Sequence, residues 1–330
     1  MAKVLTEISA VSWEHPADRA ALQTLRAIPG FDEAVKKIMA FFGERGIRLI
    51  FQADAVRVGP NQFPELHAMM TEVTQTMDWP KQPELYVTQT PIVNASAVGF
   101  EDPFIVLHSA MLRLLDEDET RVIVGHELGH IMSGHALYRT ITLLILMFGF
   151  QNLPFLAGMA LLPVKFALLE WFRKSELSSD RAGLLATQDQ ESSKSTFMRL
   201  ASGSEQYAPV PLIANPDLDV YMEQAREYED LGGLDHIYKL LNTVGMTHPH
   251  HTLRAAELQK WIDGGAYDRI VGGEYTHRGQ EEDDRPLRPD LTDAAKYYAQ
   301  GAKEVGSDMV DAAKKAASAF TDAIKERAKK

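Results

Sequence analysis

The five residues His126-Glu127-Leu128-Gly129-His130 constrain the fold of this 330-residue chain more than any other stretch. Histidines four residues apart lie on one face of an α-helix, where both imidazoles can bind one zinc ion with Glu127 beside them as a general base. The acids from Asp116 to Glu119 predict the start of this helix, and the apolar residues between Thr120 and Ile131 predict that it is buried. The pattern indicates a rigid metal site suited to metal-assisted hydrolysis of a peptide bond.

A catalytic zinc site needs a third protein ligand and one open position for water. His135 is near in sequence, but five residues beyond His130 it would point about 140° away on a continuing helix and could not reach the same ion without a break in that helix. Glu176 is the better candidate, because it and Asp180 are four residues apart on one helical face. One carboxylate would bind zinc, and the other would accept a hydrogen bond from a histidine ligand. The alternative is that both acids are solvated helix charges.

These motifs resemble the HExxH and ExxxD signature of gluzincin zinc peptidases, specifically of the HtpX-like and CAAX prenyl protease-like family. Asn94 to Gly99 is similar to the strand that borders the cleft in that family, and Phe104 to Leu107 to the strand paired with it. Thr247 to Arg254 resembles the family's His-Pro-x-x-x-x-Arg element. The four motifs occur in the family's order, between roughly Gln52 and Tyr275.

The resemblance implies a role for each site residue. His126, His130 and Glu176 would bind one zinc ion per chain, Glu127 would be the general base, and Asp180 would orient a histidine ligand. Zinc would lower the pKa of its bound water, Glu127 would take the proton, and the hydroxide would attack the scissile carbonyl.

The element from Thr247 to Arg254 has three interpretations. The family brings it over the cleft, so His248 or Arg254 would donate a hydrogen bond to the oxyanion. Some relatives use the histidine before proline as a fourth zinc ligand that displaces the water, so His248 would instead hold the enzyme closed. The third interpretation is a surface loop before a helix whose start Pro249 favours.

The strand from Asn94 to Gly99 is either an ordinary strand or a free edge that pairs with an extended polypeptide substrate. Taken together, the motifs predict a zinc-dependent endopeptidase acting on unfolded or damaged proteins. The alternative is a zinc-stabilised binding or regulatory module with little or no proteolytic activity. Glu127 favours the enzyme, because an inactive relative would most easily have lost this residue.

Composition excludes several other classes of protein. The chain has no cysteine, so histidine and carboxylate are the only strong zinc ligands available, and disulfides are excluded. A formal net charge of -12 argues against a nucleic-acid partner. The N-terminus lacks a basic start followed by an apolar stretch, so no signal peptide is predicted and a cytoplasmic location is expected.

The segment from Ile141 to Leu169 is very apolar, but polar residues and prolines interrupt it. A membrane-spanning helix takes about 20 mostly apolar residues, and neither half of the segment is long enough. The favoured interpretation is a hairpin packed between the two ligand-bearing helices. A shallow or re-entrant peripheral membrane contact through residues 141–169 is the main alternative, and a full span is the third.

The order of elements predicts an α+β, mainly helical zincin-like metallopeptidase fold with a small β-sheet and two ligand-bearing helices. Arg48 to Val58 is expected to form one long strand or a strand pair, and Leu234 to Leu241 a helix. Residues 1–278 would be the metallopeptidase domain and 279–290 an acidic linker. Residues 291–330 have a helical apolar stripe, which predicts a C-terminal amphipathic helix that contacts a membrane, another helix or its own domain.

Overall fold

The computed structural model describes residues 2–26, 31–144, 155–205, 210–214, 216–230 and 248–280. The helices run over Pro16–Arg26 (α1), Phe31–Gln52 (α2), Pro64–Thr76 (α3), Ser109–Leu114 (α4), Glu117–Met132 (α5), His135–Leu144 (α6), Phe155–Thr187 (α7), Gln190–Ser202 (α8), Leu218–Asp230 (α9), His251–Asp263 (α10) and Ala266–Gly272 (α11). The strands are Ala55–Arg57 (β1), Leu85–Thr88 (β2), Ala95–Val98 (β3) and Phe104–His108 (β4). The predicted α+β, mainly helical fold with a small sheet is confirmed.

The described strands form one sheet in the order β1-β2-β4-β3. β2 and β4 are parallel, whereas β1 and β3 are antiparallel to their neighbours. The strands expected over the two cleft-bordering motifs are confirmed, and β3 is an edge strand. Its residues Ala95 and Ala97 point into the main core, which also contains the apolar face of α5. The edge strand therefore lies directly against the helix that bears the histidine pair.

The prediction of a strand over Arg48 to Val58 is wrong for its first half. α2 continues to Gln52 after a kink at Gly43, where φ is 63°, and only Ala55–Arg57 are β-structured. Ile47 is buried and Phe51, four residues later, packs against the same cluster, while Leu49 and Ile50 are half-exposed. Burial here follows the helical period of 3.6 residues, which a short apolar run does not distinguish from alternation.

α5 begins where the acidic cluster predicted it. The Asp116 carboxylate accepts a hydrogen bond from the Glu119 amide, and the Glu119 carboxylate accepts one from the Asp116 amide, which completes a capping box. The helix then carries its ligand residues through the core and ends at Met132, because Gly134 adopts a left-handed conformation with φ of 69°.

α5 and α7 cross at unusually close range because small residues line their contact. A Cβ atom at Gly129 would lie 2.4 Å from the Ala182 Cβ, and one at Gly125 would lie 2.6 Å from the Ala186 Cβ. Glycine is therefore required on α5 if the two backbones are to approach this closely. The crossing brings the histidines of α5 to the acids of α7, although they lie some tens of residues apart in sequence.

Several predictions fall partly or wholly outside the described residues. The described part of α6 reaches Leu144 and that of α7 starts at Phe155, so residues 145–154, the tip of the expected hairpin, lie outside the described residues. The same holds for the helix expected over Leu234 to Leu241, for the linker beyond residue 280 and for the C-terminal tail. Within the described ranges, none of the helices combines the length and the apolar character needed to cross a membrane.

Candidate metal centre

Three predicted ligands converge at the crossing of α5 and α7. The Nε2 atoms of His126 and His130 are 3.1 Å apart, and they lie 3.5 Å and 3.3 Å from the two carboxylate oxygens of Glu176. All three residues are buried, and one ligand atom from each lies within 4.8 Å of the others. Ligand atoms bound to a tetrahedral zinc ion at about 2.0–2.1 Å lie roughly 3.3–3.4 Å apart. The observed spacing therefore suits a single zinc ion.

The hydrogen bonding of Glu176 also fits a cation. Its Oε2 atom is buried and has no hydrogen-bond partner within the described part of the chain. A buried anionic oxygen without a partner is costly, and a metal ion would satisfy it. The second oxygen accepts a hydrogen bond from Arg139 of α6. Burial opposes ionisation of Glu176, but attraction to His248 and Arg139 and the closeness of both site histidines hold its pKa well below its usual range.

Arg139 was not singled out from the sequence. Its guanidinium carbon lies 3.9 Å from the ring centroid of Phe172, and the residue is 2% exposed. Arg139 and Glu176 are 37 positions apart in sequence, so no local residue spacing predicts their contact. The only available signal was a cation in the apolar run from His135 to Leu144, where a buried charge needs a partner.

Asp180 lies behind His126, as expected for a carboxylate that orients a metal ligand. Its Oδ1 atom is 3.0 Å from His126 Nδ1, the nitrogen that points away from Glu176. Arg254 donates two hydrogen bonds to the same carboxylate, at 2.9 Å from Nε and 2.5 Å from Nη2. Burial would lower the pKa of His126, but attraction to the carboxylates of Asp180 and Glu176 outweighs it and raises the pKa to about 9.

The interactions of Arg254 bear on its predicted role at the oxyanion. The side chain is buried on α10, and both of its hydrogen bonds are directed at Asp180. Its Nη2 atom also lies 3.5 Å from Glu176 Oε2. Arg254 therefore ties the His-Pro element to α7, and this geometry gives no support to its role as an oxyanion donor.

Glu127, the predicted general base, contacts the edge strand. Its Oε2 atom accepts a hydrogen bond of 2.7 Å from the Ala97 amide, which points away from β4. Burial raises the pKa of the Glu127 carboxyl. The Ala97 amide thus holds the carboxylate of Glu127 against the edge strand.

His248 lies at the rim of the cluster. Its Nε2 atom is 3.7 Å from Glu176 Oε2, its ring centroid is 5.7 Å from that of Phe172, and its side chain is 32% exposed. Burial lowers its pKa to about 4. It is close enough to approach a bound ligand, but its role as an oxyanion donor or as a fourth metal ligand stays a prediction.

His135 follows a break in the helix, which is the condition that the sequence set for it to approach the ligands. α5 does not continue past Met132, and the turn at Gly134 directs His135 back towards the cluster. His135 Nδ1 lies 3.1 Å from His130 Nδ1, on the side of that ring opposite to Glu176. Within the described residues, His135 thus stands behind the predicted ligands rather than among them.

Comparisons with known proteins also indicate a metallopeptidase. Residues 60–262 match the sequence profile of Peptidase family M48. Plastoglobule-localized metallopeptidase 48, chloroplastic, from Arabidopsis thaliana is 33% identical over 270 residues, which are 80% of this chain and 76% of that protein. A Protease HtpX homolog from Helicobacter pylori (strain J99) is 31% identical over 80 residues, 24% of this chain and 26% of that protein. One from Moorella thermoacetica is 28% identical over 96 residues, 28% of this chain and 31% of that protein. No solved structure matches the chain.

Proposed function

The chain belongs to peptidase family M48 and is a metalloprotease, and on that premise we propose that it is a zinc-dependent endopeptidase that cleaves unfolded or damaged proteins. The convergence of His126, His130 and Glu176 at zinc-like spacing carries the proposal. Two imidazoles and one carboxylate are a donor set typical of catalytic zinc. These residues would hold one zinc ion per chain, which when bound supplies Lewis acidity to activate water and polarise a carbonyl.

Glu127 is the proposed general base. The Ala97 amide holds one of its carboxylate oxygens, which fixes the side chain beside His126. The carboxylate would accept a proton from the attacking water and return it to the leaving amine. Asp180 would accept the Nδ1 hydrogen of His126, which leaves the Nε2 lone pair facing the cluster.

His248 is the proposed donor to the oxyanion. Its partial exposure and its position beside Glu176 support a role at the mouth of the site. A hydrogen-bond donor there would stabilise the charge that develops on the scissile carbonyl. If His248 is the proposed oxyanion donor, His248→Ala should lower kcat, and this is the result that we expect. If His248 is instead a fourth metal ligand that inhibits cleavage, the same variant would raise kcat.

The outer edge of β3 is the proposed substrate-binding strand. The His108 amide donates to the Asn94 carbonyl, so the backbone groups of Ser96 and Val98 also face β4, and those of Ala95 and Ala97 face outwards. The Gly99 amide is bonded to Thr140 and the Ala97 amide to Glu127. An extended polypeptide would therefore pair with the Ala95 amide and the Ala95 and Ala97 carbonyls. Recognition through the backbone supports low sequence selectivity.

We also propose a peripheral membrane contact, either through residues 141–169 or through the C-terminal helix. A further part of the proposal is the division into a catalytic domain (1–278), a linker (279–290) and a tail (291–330). The apolar composition of the first segment and the amphipathic pattern of the tail support these proposals. Vesicle flotation of the full chain and of variants with polar substitutions in each segment is the test. Failure of the full chain to float would refute membrane contact.

Digestion of casein by the wild-type protein and by Glu127→Gln tests the function. The isosteric variant should bind as much zinc and unfold at the same temperature, but it should not cleave. Cleavage by the variant at the wild-type rate would refute the base assignment.

His126→Ala is expected to lose zinc, and undiminished zinc would refute its role as a ligand. Stoichiometric zinc without cleavage in the wild type would favour a zinc-stabilised binding or regulatory module.

A further inference from the structure

A buried chain of polar groups behind His130 has no part in the mechanism proposed above. His130 Nδ1 lies 3.1 Å from His135 Nδ1, and His135 Nε2 lies 3.0 Å from the Oδ2 atom of Asp18. Ser178 Oγ donates a hydrogen bond of 2.5 Å to the same oxygen of Asp18. All four residues are at most 2% exposed. Such a chain is costly to bury unless each member satisfies the next.

The direction of the hydrogen bonds follows from the position of the proposed metal. A neutral imidazole has one nitrogen that donates and one that accepts. If His130 binds a metal through Nε2, its hydrogen is on Nδ1, where His135 Nδ1 is in range to accept it. His135 must then carry its hydrogen on Nε2, from which it donates to Asp18. Each group has one consistent role.

We propose that His135 and Asp18 are positioning residues for His130, which together fix its tautomer and ring orientation so that Nε2 presents its lone pair to the metal. The inference rests on the proposed metal site. The two histidine ligands are then oriented differently, since His126 contacts the carboxylate of Asp180 directly and His130 reaches Asp18 through His135. Carboxylates that act through a histidine ligand in this way are a general means of tuning metal sites.

Asp18 comes from a part of the chain that the family profile does not cover. It lies in the first turn of α1, before the matched residues 60–262. Ser178, which bonds Asp18, also accepts a hydrogen bond of 2.9 Å from the His15 amide, and it lies on α7 between Glu176 and Asp180. α1 is thereby attached to the helix that supplies the carboxylate ligand. The N-terminal helix is thus part of the metal centre.

Zinc affinity of the full chain tests the proposal. Competition with a chromophoric chelator would give the zinc dissociation constant of the wild type, of His135→Phe and of His15→Phe. We expect His135→Phe to weaken zinc binding by about 10- to 100-fold, the usual effect of losing a partner behind a ligand. His15→Phe is the matched control, because the side chain of His15 is also buried beside α1 but contacts Glu257 and the Ala17 amide instead of His130, His135 or Asp18.

A spectroscopic signature separates positioning from a general loss of packing. In the zinc-loaded protein, His135→Phe should shift the imidazole ¹H–¹⁵N signals of His130 and leave those of His126 in place. His135→Asn keeps an acceptor near the Nδ1 position but loses the link to Asp18, so its zinc affinity should fall between those of the wild type and His135→Phe. This smaller side chain also serves if phenylalanine prevents folding.

A double-mutant cycle tests whether Asp18 acts through His135. Asp18→Ala should weaken zinc binding, and Asp18→Ala with His135→Phe should bind zinc no more weakly than His135→Phe alone. Additive losses would overturn the pathway from Asp18. The inference is also overturned if His135→Phe binds zinc within twofold of the wild type, or if His15→Phe weakens binding equally. If the wild type itself binds no zinc, the proposed function fails together with the inference, a result that is distinct from all of these.

Discussion

The close crossing of α5 and α7 leads to a quantitative prediction for Gly129→Ala. The added Cβ would lie 2.4 Å from the Ala182 Cβ, whereas ordinary contact begins at 3.4 Å, so the two helices must separate by about 1 Å. Overpacking of this kind costs about 1–3 kcal/mol. Replacing a helical glycine by alanine returns about 0.5–1 kcal/mol. The net loss of folding stability should therefore be between about 0 and 2.5 kcal/mol.

The effect on metal binding should be larger than the effect on stability. The histidines lie on α5 and Glu176 lies on α7, so a separation of about 1 Å widens the spacing between ligands. Metal sites tolerate deviations of only about 0.2 Å in ligand distance. We expect zinc affinity to fall by roughly tenfold or more, although no ligand is changed.

Urea unfolding of the metal-free protein and zinc competition are the two assays. Gly46→Ala is the matched control, because Gly46 is also helical, and within the described residues no atom lies within 4 Å of its would-be Cβ. It should be about 0.5–1 kcal/mol more stable than the wild type with unchanged zinc affinity. Adding Ala182→Gly to Gly129→Ala should restore zinc affinity, since the next atoms, Ser179 Cα and O, would lie 3.5 and 3.7 Å from the new Cβ.

Two results would refute the close crossing as the cause. If Gly129→Ala gains stability as Gly46→Ala does and binds zinc as tightly as the wild type, the crossing does not limit the distance between the ligands. Loss of zinc binding that Ala182→Gly does not restore would show that the methyl acts on something other than the facing helix.

Three further predictions concern the supports of the site. Arg254→Met leaves the buried Asp180 carboxylate without its bidentate partner, so urea unfolding should show a loss of about 3–5 kcal/mol, and an unchanged midpoint would contradict the ion pair. Asp116→Ala removes the capping box of α5 and should cost about 1 kcal/mol by the same assay, without altering the zinc dissociation constant. Chelation of the metal should lower the melting temperature and stop casein cleavage, and added zinc should restore both, because a ligand bound only by the folded state stabilises it; cleavage that persists without metal would exclude a metal-dependent mechanism.

The local features of the site could be read from the sequence because their signals span a few residues. The spacing of His126 and His130 places both on one helical face, and the acid cluster at Asp116 marks the start of that helix. The strand at Asn94 was predicted from its resemblance to the family's cleft-bordering strand, and β3 confirms it. The same reasoning gave the wrong structure for Arg48 to Gln52, because five residues rich in apolar side chains suit either period until the core shows which face is buried.

Only the tertiary structure decided what surrounds the predicted ligands. Arg139 reaches Glu176 from another helix, and His135 connects His130 to Asp18 over more than a hundred residues of sequence. These contacts depend on the glycine-lined approach of α5 to α7 and on the packing of α1 against α7, neither of which leaves a periodic pattern in the sequence. The sequence by itself determined the chemistry of the donor groups and the helix that displays two of them. The fold decided their orientation, because the partner of a buried polar group is set by distance in space and not by separation along the chain.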